Sequence, residues 1–227
     1  LKPAPVLTVD GPSGSGKGTI SQLLAEKRGW NFLDSGALYR ILGLAAFEAG
    51  VALDDRTKLA QLALTLDVSF RSNPGGVAEV FLNGEAVGDR LRTEEAGERA
   101  SVVAAVPEVR TALLERQRAF RQPPGLVADG RDMGTTVFPD ATLKIFLTAS
   151  PEVRAERRYK QLKQKGFDVN LARLLGEIRD RDARDSARTA SPLKPADDAV
   201  IVDTSTMTID EVVERVDALL DQRLARD

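Results

Sequence analysis

Cysteine and histidine are both absent from the sequence. Without cysteine there can be no disulfides and no thiolate metal sites, and a reducing compartment is permitted. Without histidine, Ser-His-Asp chemistry, histidine phosphotransfer and the usual zinc sites are excluded together. Charge of one sign is also lacking: the formal net charge is −2, so there is no overall basic excess to hold nucleic acid. No apolar run reaches the roughly 18 residues that a membrane span needs. The opening Leu1-Lys2-Pro3-Ala4-Pro5 has no apolar centre of a signal peptide. No repeat or low-complexity tract is visible, and the expected location is the cytoplasm. What is present fits a globular protein with a substantial core: 42% of residues are hydrophobic and 29% charged. A length of 227 residues suits one large domain, or a core with a modest insertion.

The most informative segment comes early. Val6-Leu7-Thr8-Val9-Asp10 is apolar and β-branched, and it runs into Gly11-Pro12-Ser13-Gly14-Ser15-Gly16-Lys17-Gly18-Thr19. Ile20, Leu23 and Leu24 follow at helical spacing. Strand, glycine-rich turn and helix form the context in which G-x-x-x-x-G-K binds phosphate. Many backbone N–H groups hold triphosphate oxygens best, and glycines let the chain come close enough to supply them. The positive end of the helix adds to that field, and Lys17 brings a mobile charge for the β- and γ-phosphates. The strict pattern has Ser or Thr directly after the lysine. Here Gly18 intervenes and Thr19 follows, the G-K-G-T ending of small kinases that phosphorylate nucleotides.

Further apolar runs alternate with helical patterns, which predicts a parallel sheet covered by helices. Strands are expected at Val6–Asp10, Trp30–Leu33, Leu126–Asp129, Leu143–Leu147 and Val200–Val202. Helices are expected at Gly16–Arg28, Leu38–Ala49, Val109–Phe120, Pro151–Lys163, Leu171–Arg188 and Ile209–Leu224. Between Asp67 and Arg92 the rhythm changes to alternation, with Val68, Phe70, Val77, Val80 and Leu82, and Asn83-Gly84 as a hairpin turn. This predicts a small β-rich insertion flanked by helices at about 55–66 and 93–103. The domain division expected is a core of 1–66 and 104–227 with an insertion of 67–103. Ligands of such sheets bind at the carboxyl ends of the strands, where the loops after Asp10, Leu33, Asp129 and Leu147 emerge.

Four further segments carry charge suited to chemistry. In Asp34-Ser35-Gly36-Ala37-Leu38-Tyr39-Arg40, Ser35 is a candidate helix cap and Arg40 a candidate phosphate contact, although a surface arginine on a capped helix reads the same way. In Asp129-Gly130-Arg131-Asp132-Met133-Gly134, a buried strand ends in Asp, Arg and Asp. Asp129 is placed to orient water on Mg²⁺, Arg131 offers a planar fork for phosphate and Asp132 an acceptor for an amine. The alternative is a solvated turn with a local salt bridge. Arg181, Asp185 and Arg188 share one helical stripe able to clamp phosphate and sugar, or they belong to an exposed charged face. The basic stretch from Arg154 through Arg157 and Arg158 to Lys165 is open to three readings: a lid over ATP, a plain surface helix or an RNA contact. Kinases acting on AMP, UMP or a small alcohol such as shikimate would share the loop and differ in the second site.

Taken together, DGPSGSGKGT (Asp10–Thr19), LDSGALYR (Leu33–Arg40), DGRDMGTTVFPD (Asp129–Asp140) and IRDRDARDSARTASP (Ile178–Pro192) resemble the bacterial cytidylate kinases, from the first strand to the last helix. The combination of the loop with D-G-R-D-M-G-T and R-D-x-R-D is highly specific. Ser15, where the family often has Ala, is the one departure. The resemblance implies a phosphate-loop α/β kinase core with a five-stranded parallel sheet, a helical lid at about 151–168 and a β-rich monophosphate-binding insertion. It implies transfer of the γ-phosphoryl group of ATP to CMP or dCMP with Mg²⁺, with no nucleic-acid or membrane partner; a monomer is expected. Residue by residue, it implies that Gly11 to Thr19 hold ATP and that Thr19 ligates Mg²⁺ beside Asp129. Ser35, Arg40 and Arg131 would meet the acceptor phosphate. Ser101, Arg110 and Asp132 would read cytosine with Arg188 nearby, and Arg181 and Asp185 would hold the sugar. Lys17, Arg131, Arg188, Arg154 and Arg158 would neutralise charge in the transition state.

Overall fold

The structure is a computed structural model that describes residues 3–72, 78–164 and 166–226. Val77 and Lys165, which figure in the sequence reading, lie outside the described residues. In chain order the elements are β1 (Val6–Asp10), α1 (Lys17–Arg28), β2 (Asn31–Asp34), α2 (Ser35–Glu48), α3 (Arg56–Thr65), β3 (Val68–Ser72), β4 (Ala78–Leu82) and β5 (Glu85–Ala86). Then follow α4 (Glu94–Val103), α5 (Pro107–Arg118), β6 (Leu126–Gly130), β7 (Leu143–Thr148), α6 (Pro151–Gln164), α7 (Leu171–Ser186), β8 (Val200–Asp203) and α8 (Ile209–Leu224). The described chain forms two compact units, Leu1–Asp34 with Arg118–Asp227, and Ser35–Gln117. The second unit is therefore wider than the 67–103 segment singled out from its alternation.

The first unit holds a five-stranded sheet in the order β2-β6-β1-β7-β8. Every pairing in it is parallel. Such strands need crossovers, and helices supply them. β1 is buried throughout, and its alternation divides its side chains between two faces. Leu7 and Val9 join Ile20 and Leu24 of α1, Ile145 and Leu147 of β7, and Val212, Val216 and Leu220 of α8 in one apolar cluster. Thr8 and Asp10 belong to the other face. Chain order reverses beside β1, so the loop leaving it lies at the switch point where ligands bind. α1 and α8 are also tied by charge. Arg28, in the last turn of α1, donates to Asp217 at 2.5 Å and to Asp221 at 2.7 Å. A cation there also suits the negative end of the helix.

The second unit contains the antiparallel sheet β3-β4-β5 and helices α2 to α5. Asn83 and Gly84 have φ of 51° and 83°, the double positive φ that a tight hairpin requires. α2 and α4 pack closely. A Cβ on Gly43 would meet the Cβ of Arg99 at 3.0 Å, so only glycine lets the backbones approach this far. α2 starts on Ser35 directly after β2. α7 ends at Ser186, so Arg188 lies past the helix and not on its stripe. No helix among the described residues is long and apolar enough to cross a membrane.

Candidate active site

The phosphate-binding segment is built on an undecorated helix start. α3, α4, α7 and α8 each begin with a side chain accepting a backbone N–H, from Asp55, Thr93, Asn170 and Thr208. α1 begins at Gly16, with no side-chain cap and no acidic residue in its first turn. Its first amides thus keep their field for an anion. Two arginines of α6 grip the loop through its carbonyls. Arg154 donates to the Ser13 carbonyl at 3.0 Å, and Arg157 donates to the Ser15 carbonyl at 3.4 Å and to the Thr204 hydroxyl at 3.1 Å. Thr204 itself donates to the Ser15 carbonyl at 3.2 Å. Within the loop, the Ser15 N–H donates to the Pro12 carbonyl at 3.4 Å.

Lys17 lies 3.7 Å from the Asp129 carboxylate. Burial is the largest influence on both. It pushes the Asp129 carboxyl up to about 6 against the pull of Lys17, and it lowers the Lys17 ammonium against the pull of Asp129. The other Asp129 oxygen lies 3.3 Å from where a Cβ on Gly18 would sit, so the carboxylate overhangs the first turn of α1. Thr19 follows one residue on. A hydroxyl and carboxylates are the hard oxygen donors that magnesium accepts, together with water and phosphate. The residues therefore fit a nucleotide-borne magnesium ion.

The segment after β6 is pinned from β1. Asp10 accepts the Met133 N–H at 2.9 Å and the Gly134 N–H at 2.8 Å, one on each oxygen. This caps a π-helical turn, Met133–Val137, directly after Arg131 and Asp132. Sequence reading missed Asp10 as anything but a strand end, since its partners lie over 120 residues away. Burial, offset in part by the two amides, pushes its carboxyl up to about 7, with Asp132 and Asp129 adding repulsion. Between the ordinary value of 3.8 and about 7, the folded state therefore keeps a proton that the unfolded chain releases. Stability contributed by this group falls as pH rises through that window. Asp10→Asn does not titrate, so its stability relative to the wild type should rise from pH 4 to pH 7 by on the order of 2–4 kcal/mol. Thermal unfolding of both proteins across that range is the check, and parallel curves would refute the assignment.

Arg131 and Arg188 converge on one buried carboxylate. Asp185 accepts from Arg131 Nε at 2.5 Å and pairs with Arg188 at 2.6 Å. Burial pushes the Asp185 carboxyl up, but Arg131 and Arg188 together outweigh it and hold the group below the usual carboxylate range. The stripe expectation thus has its residues together for a different reason: Arg188 reaches Asp185 from beyond the helix end. Asp185, expected on the sugar, is engaged here by two guanidinium groups. Arg154, expected over the phosphates, is 2% exposed. It donates to the Ala149 carbonyl at 2.9 Å, to Ser13 and to both carboxylate oxygens of Asp182. Arg158 and Arg181 are half-buried on α6 and α7.

In the second unit, Ser35 and Ser101 are buried. Arg40 donates to the Leu91 carbonyl at 2.5 Å. Arg110 donates to the Ala104 carbonyl at 2.8 Å, and its guanidinium lies 5.3 Å from the centre of the Tyr39 ring. Both arginines are thus oriented by backbone oxygens, which arginine forks require to present a fixed edge.

A five-stranded parallel sheet whose first strand delivers a glycine-rich loop to a helix start without a side-chain cap is the architecture of a phosphate-loop protein. The chain belongs to the cytidylate kinase family: the family profile described as cytidylate kinase matches residues 7–222. It is accordingly a nucleoside-monophosphate kinase, a phosphotransferase. A cytidylate kinase of Aeromonas salmonicida is 62% identical over 221 residues, covering 97% of this chain and 96% of that one. One from Stutzerimonas stutzeri is 61% identical over 217 residues, covering 95% of each. Among solved structures, the shikimate kinase of Acinetobacter baumannii in complex with shikimate aligns over 96% of this chain and 94% of that one, with 17% identity and a TM-score of 0.45.

Proposed function

We propose that the chain transfers the γ-phosphoryl group of ATP to CMP or dCMP, giving ADP and CDP or dCDP. The observation that carries the reading within the first unit is the uncapped loop-to-helix terminus with Lys17, in the same unit as an arginine pair held on Asp185. An oxygen of the acceptor phosphate bonds to the γ-phosphorus while the bond to the β–γ bridging oxygen breaks, and ADP leaves. That acceptor oxygen is already anionic at neutral pH, so no general base is needed and the lack of histidine is no handicap. The transition state is loose, and catalysis consists of positioning and charge neutralisation.

The loop from Gly11 to Thr19 holds the ATP phosphates, and Lys17 bridges the transferred group. Arg131, Arg188 and Arg158 add positive charge around it, and Arg154 acts on the loop from behind. Thr19 would ligate magnesium and Asp129 would orient its water, the ion neutralising charge on the ATP phosphates when bound. In the second unit, Ser35 and Arg40 take the acceptor phosphate, and Ser101 and Arg110 its base. In the first, Asp132 accepts the cytosine amine, and Arg181 and Asp185 serve the sugar. Residues 67–103 form the monophosphate-binding insertion and about 151–168 the lid, which keeps water from ATP. The reaction belongs to the cytoplasm and needs only one copy of the chain.

An ADP-release assay with Mg-ATP and separate acceptors tests the reading. Fast turnover is expected with CMP and dCMP, slow turnover with UMP, and none with AMP or shikimate. Turnover with a different acceptor alone would overturn Asp132, Ser101 and Arg110 as base readers. UMP presents a carbonyl where cytosine presents an amine, and a carboxylate repels it. Asp132→Ala should therefore shrink the CMP/UMP rate ratio by about tenfold or more. An unchanged ratio would refute that role.

A further inference from the structure

Two of the ion pairs between the helices α6 and α7 differ in character. Glu152 and Arg179 meet at 2.7 Å with side chains 54% and 60% exposed. Arg154 and Asp182 meet with side chains 3% and 26% exposed. The second pair does more than join helices. The same Nη1 of Arg154 that bonds Asp182 at 3.0 Å also donates to the Ser13 carbonyl at 3.0 Å, and Nε donates to Ala149. Four of the five guanidinium N–H groups are thereby used on protein oxygens. A Cβ on Gly14 would meet the Arg154 Cβ at 3.3 Å, so the arginine stem lies directly against the loop backbone. Asp185, three residues after Asp182, holds Arg131 and Arg188. Residues three apart share a helix face. One face of α7 therefore carries both the carboxylate that fixes the support of the donor loop and the carboxylate that fixes the arginine pair.

We propose that Asp182 is a positioning residue for phosphoryl transfer: by locking the Arg154 fork onto the Ser13 carbonyl, it sets the shape of the ATP-binding loop. The inference rests on the kinase reading above. It acts on the donor side only, so it is read in nucleotide binding as well as in turnover. A bidentate carboxylate fixes a guanidinium plane in a way that water does not. Without it the fork can rotate, the Ser13 carbonyl loses its fixed donor, and the loop loses a support of its shape. Binding of ADP and ATP then suffers before binding of the acceptor.

The test measures KM for ATP and for CMP, kcat, and ADP affinity by calorimetry, in the wild type, Asp182→Ala, Arg154→Met and the double variant. Asp182→Ala should raise KM for ATP and Kd for ADP by about tenfold, with KM for CMP changed less than about twofold. The double variant should be no worse than Arg154→Met alone, because a residue acting through another adds nothing once that partner is gone. Glu177→Gln, which breaks only the exposed Arg173–Glu177 pair within α7, should behave as the wild type. Asp182→Ala leaves a buried cation and is the variant most at risk of unfolding. The Arg154→Met/Asp182→Leu exchange replaces the pair by an apolar contact that folds, and it should show the same weakened ADP binding. Wild-type ADP affinity in that exchange or in Asp182→Ala would overturn the proposal, as would fully additive losses or an equal loss in Glu177→Gln. A wild-type protein that binds ADP but does not phosphorylate CMP would overturn the acceptor reading instead and leave the ADP comparison standing.

Discussion

Lys17→Met should lower kcat by about 1,000-fold while leaving the fold intact. A cation aimed at a transferring phosphoryl group in a water-excluded site carries an effect of this order. The position supports it: the ammonium lies 3.7 Å from Asp129 in a pair whose side chains are 14% and 7% exposed. Burial already lowers its proton affinity, so its charge is held by neighbouring anions, and phosphate oxygens would hold it further. The fold survives because Asp129 has an outlet. Its carboxyl is already raised to about 6 by burial, and loss of the lysine raises it further, so the group protonates instead of remaining an isolated buried anion. Lys17→Arg should be nearly as inactive, since a planar fork cannot replace a compact ammonium. Steady-state kinetics with unfolding curves for the three proteins test this. A Lys17→Met enzyme within about tenfold of the wild type would remove Lys17 from the mechanism.

Gly11→Ala should cost both activity and stability heavily. The added Cβ would lie 2.2 Å from the Leu147 carbonyl oxygen and 3.3 Å from the Ser15 hydroxyl, on a residue with φ of 157°. The first obstacle is backbone in the neighbouring strand β7, which cannot rotate away, so relief requires prising the loop from the sheet. Overpacking of this kind costs about 1–3 kcal/mol even where side chains can move. With backbone as the obstacle, the loss in kcat/KM should reach on the order of 100-fold, accompanied by a lower Tm. Gly176→Ala is the contrast. It lies inside α7 with nothing within 4 Å of the added atom, so the exchange should raise stability by up to about 1 kcal/mol and leave turnover alone. Equal Tm shifts in the two variants would show that the clash is not felt.

Residue type and spacing determined much of this protein before any fold was known. Val6–Leu24 announces strand, loop and helix because a short apolar, β-branched run, a glycine-rich turn and a 3.6-period run follow one another. Asn83-Gly84 announces a hairpin because few other dipeptides accept positive φ twice. These signals are local, so the chain displays them in one dimension. The helix expected to reach Arg188 stops at Ser186, since charge alternation continues past the last turn and gives no stop signal. Tertiary structure alone decided which charges face one another. Nothing near Asp10 foretells that it caps a turn at Met133 and Gly134. Nothing in the run of alternating charge from Arg179 separates half-buried Asp182 and buried Asp185, each held by an arginine from another element, from Asp180, which is exposed. Backbone conformation depends on neighbours in sequence, whereas desolvation and ion pairing depend on neighbours in space. Only folding makes those neighbours.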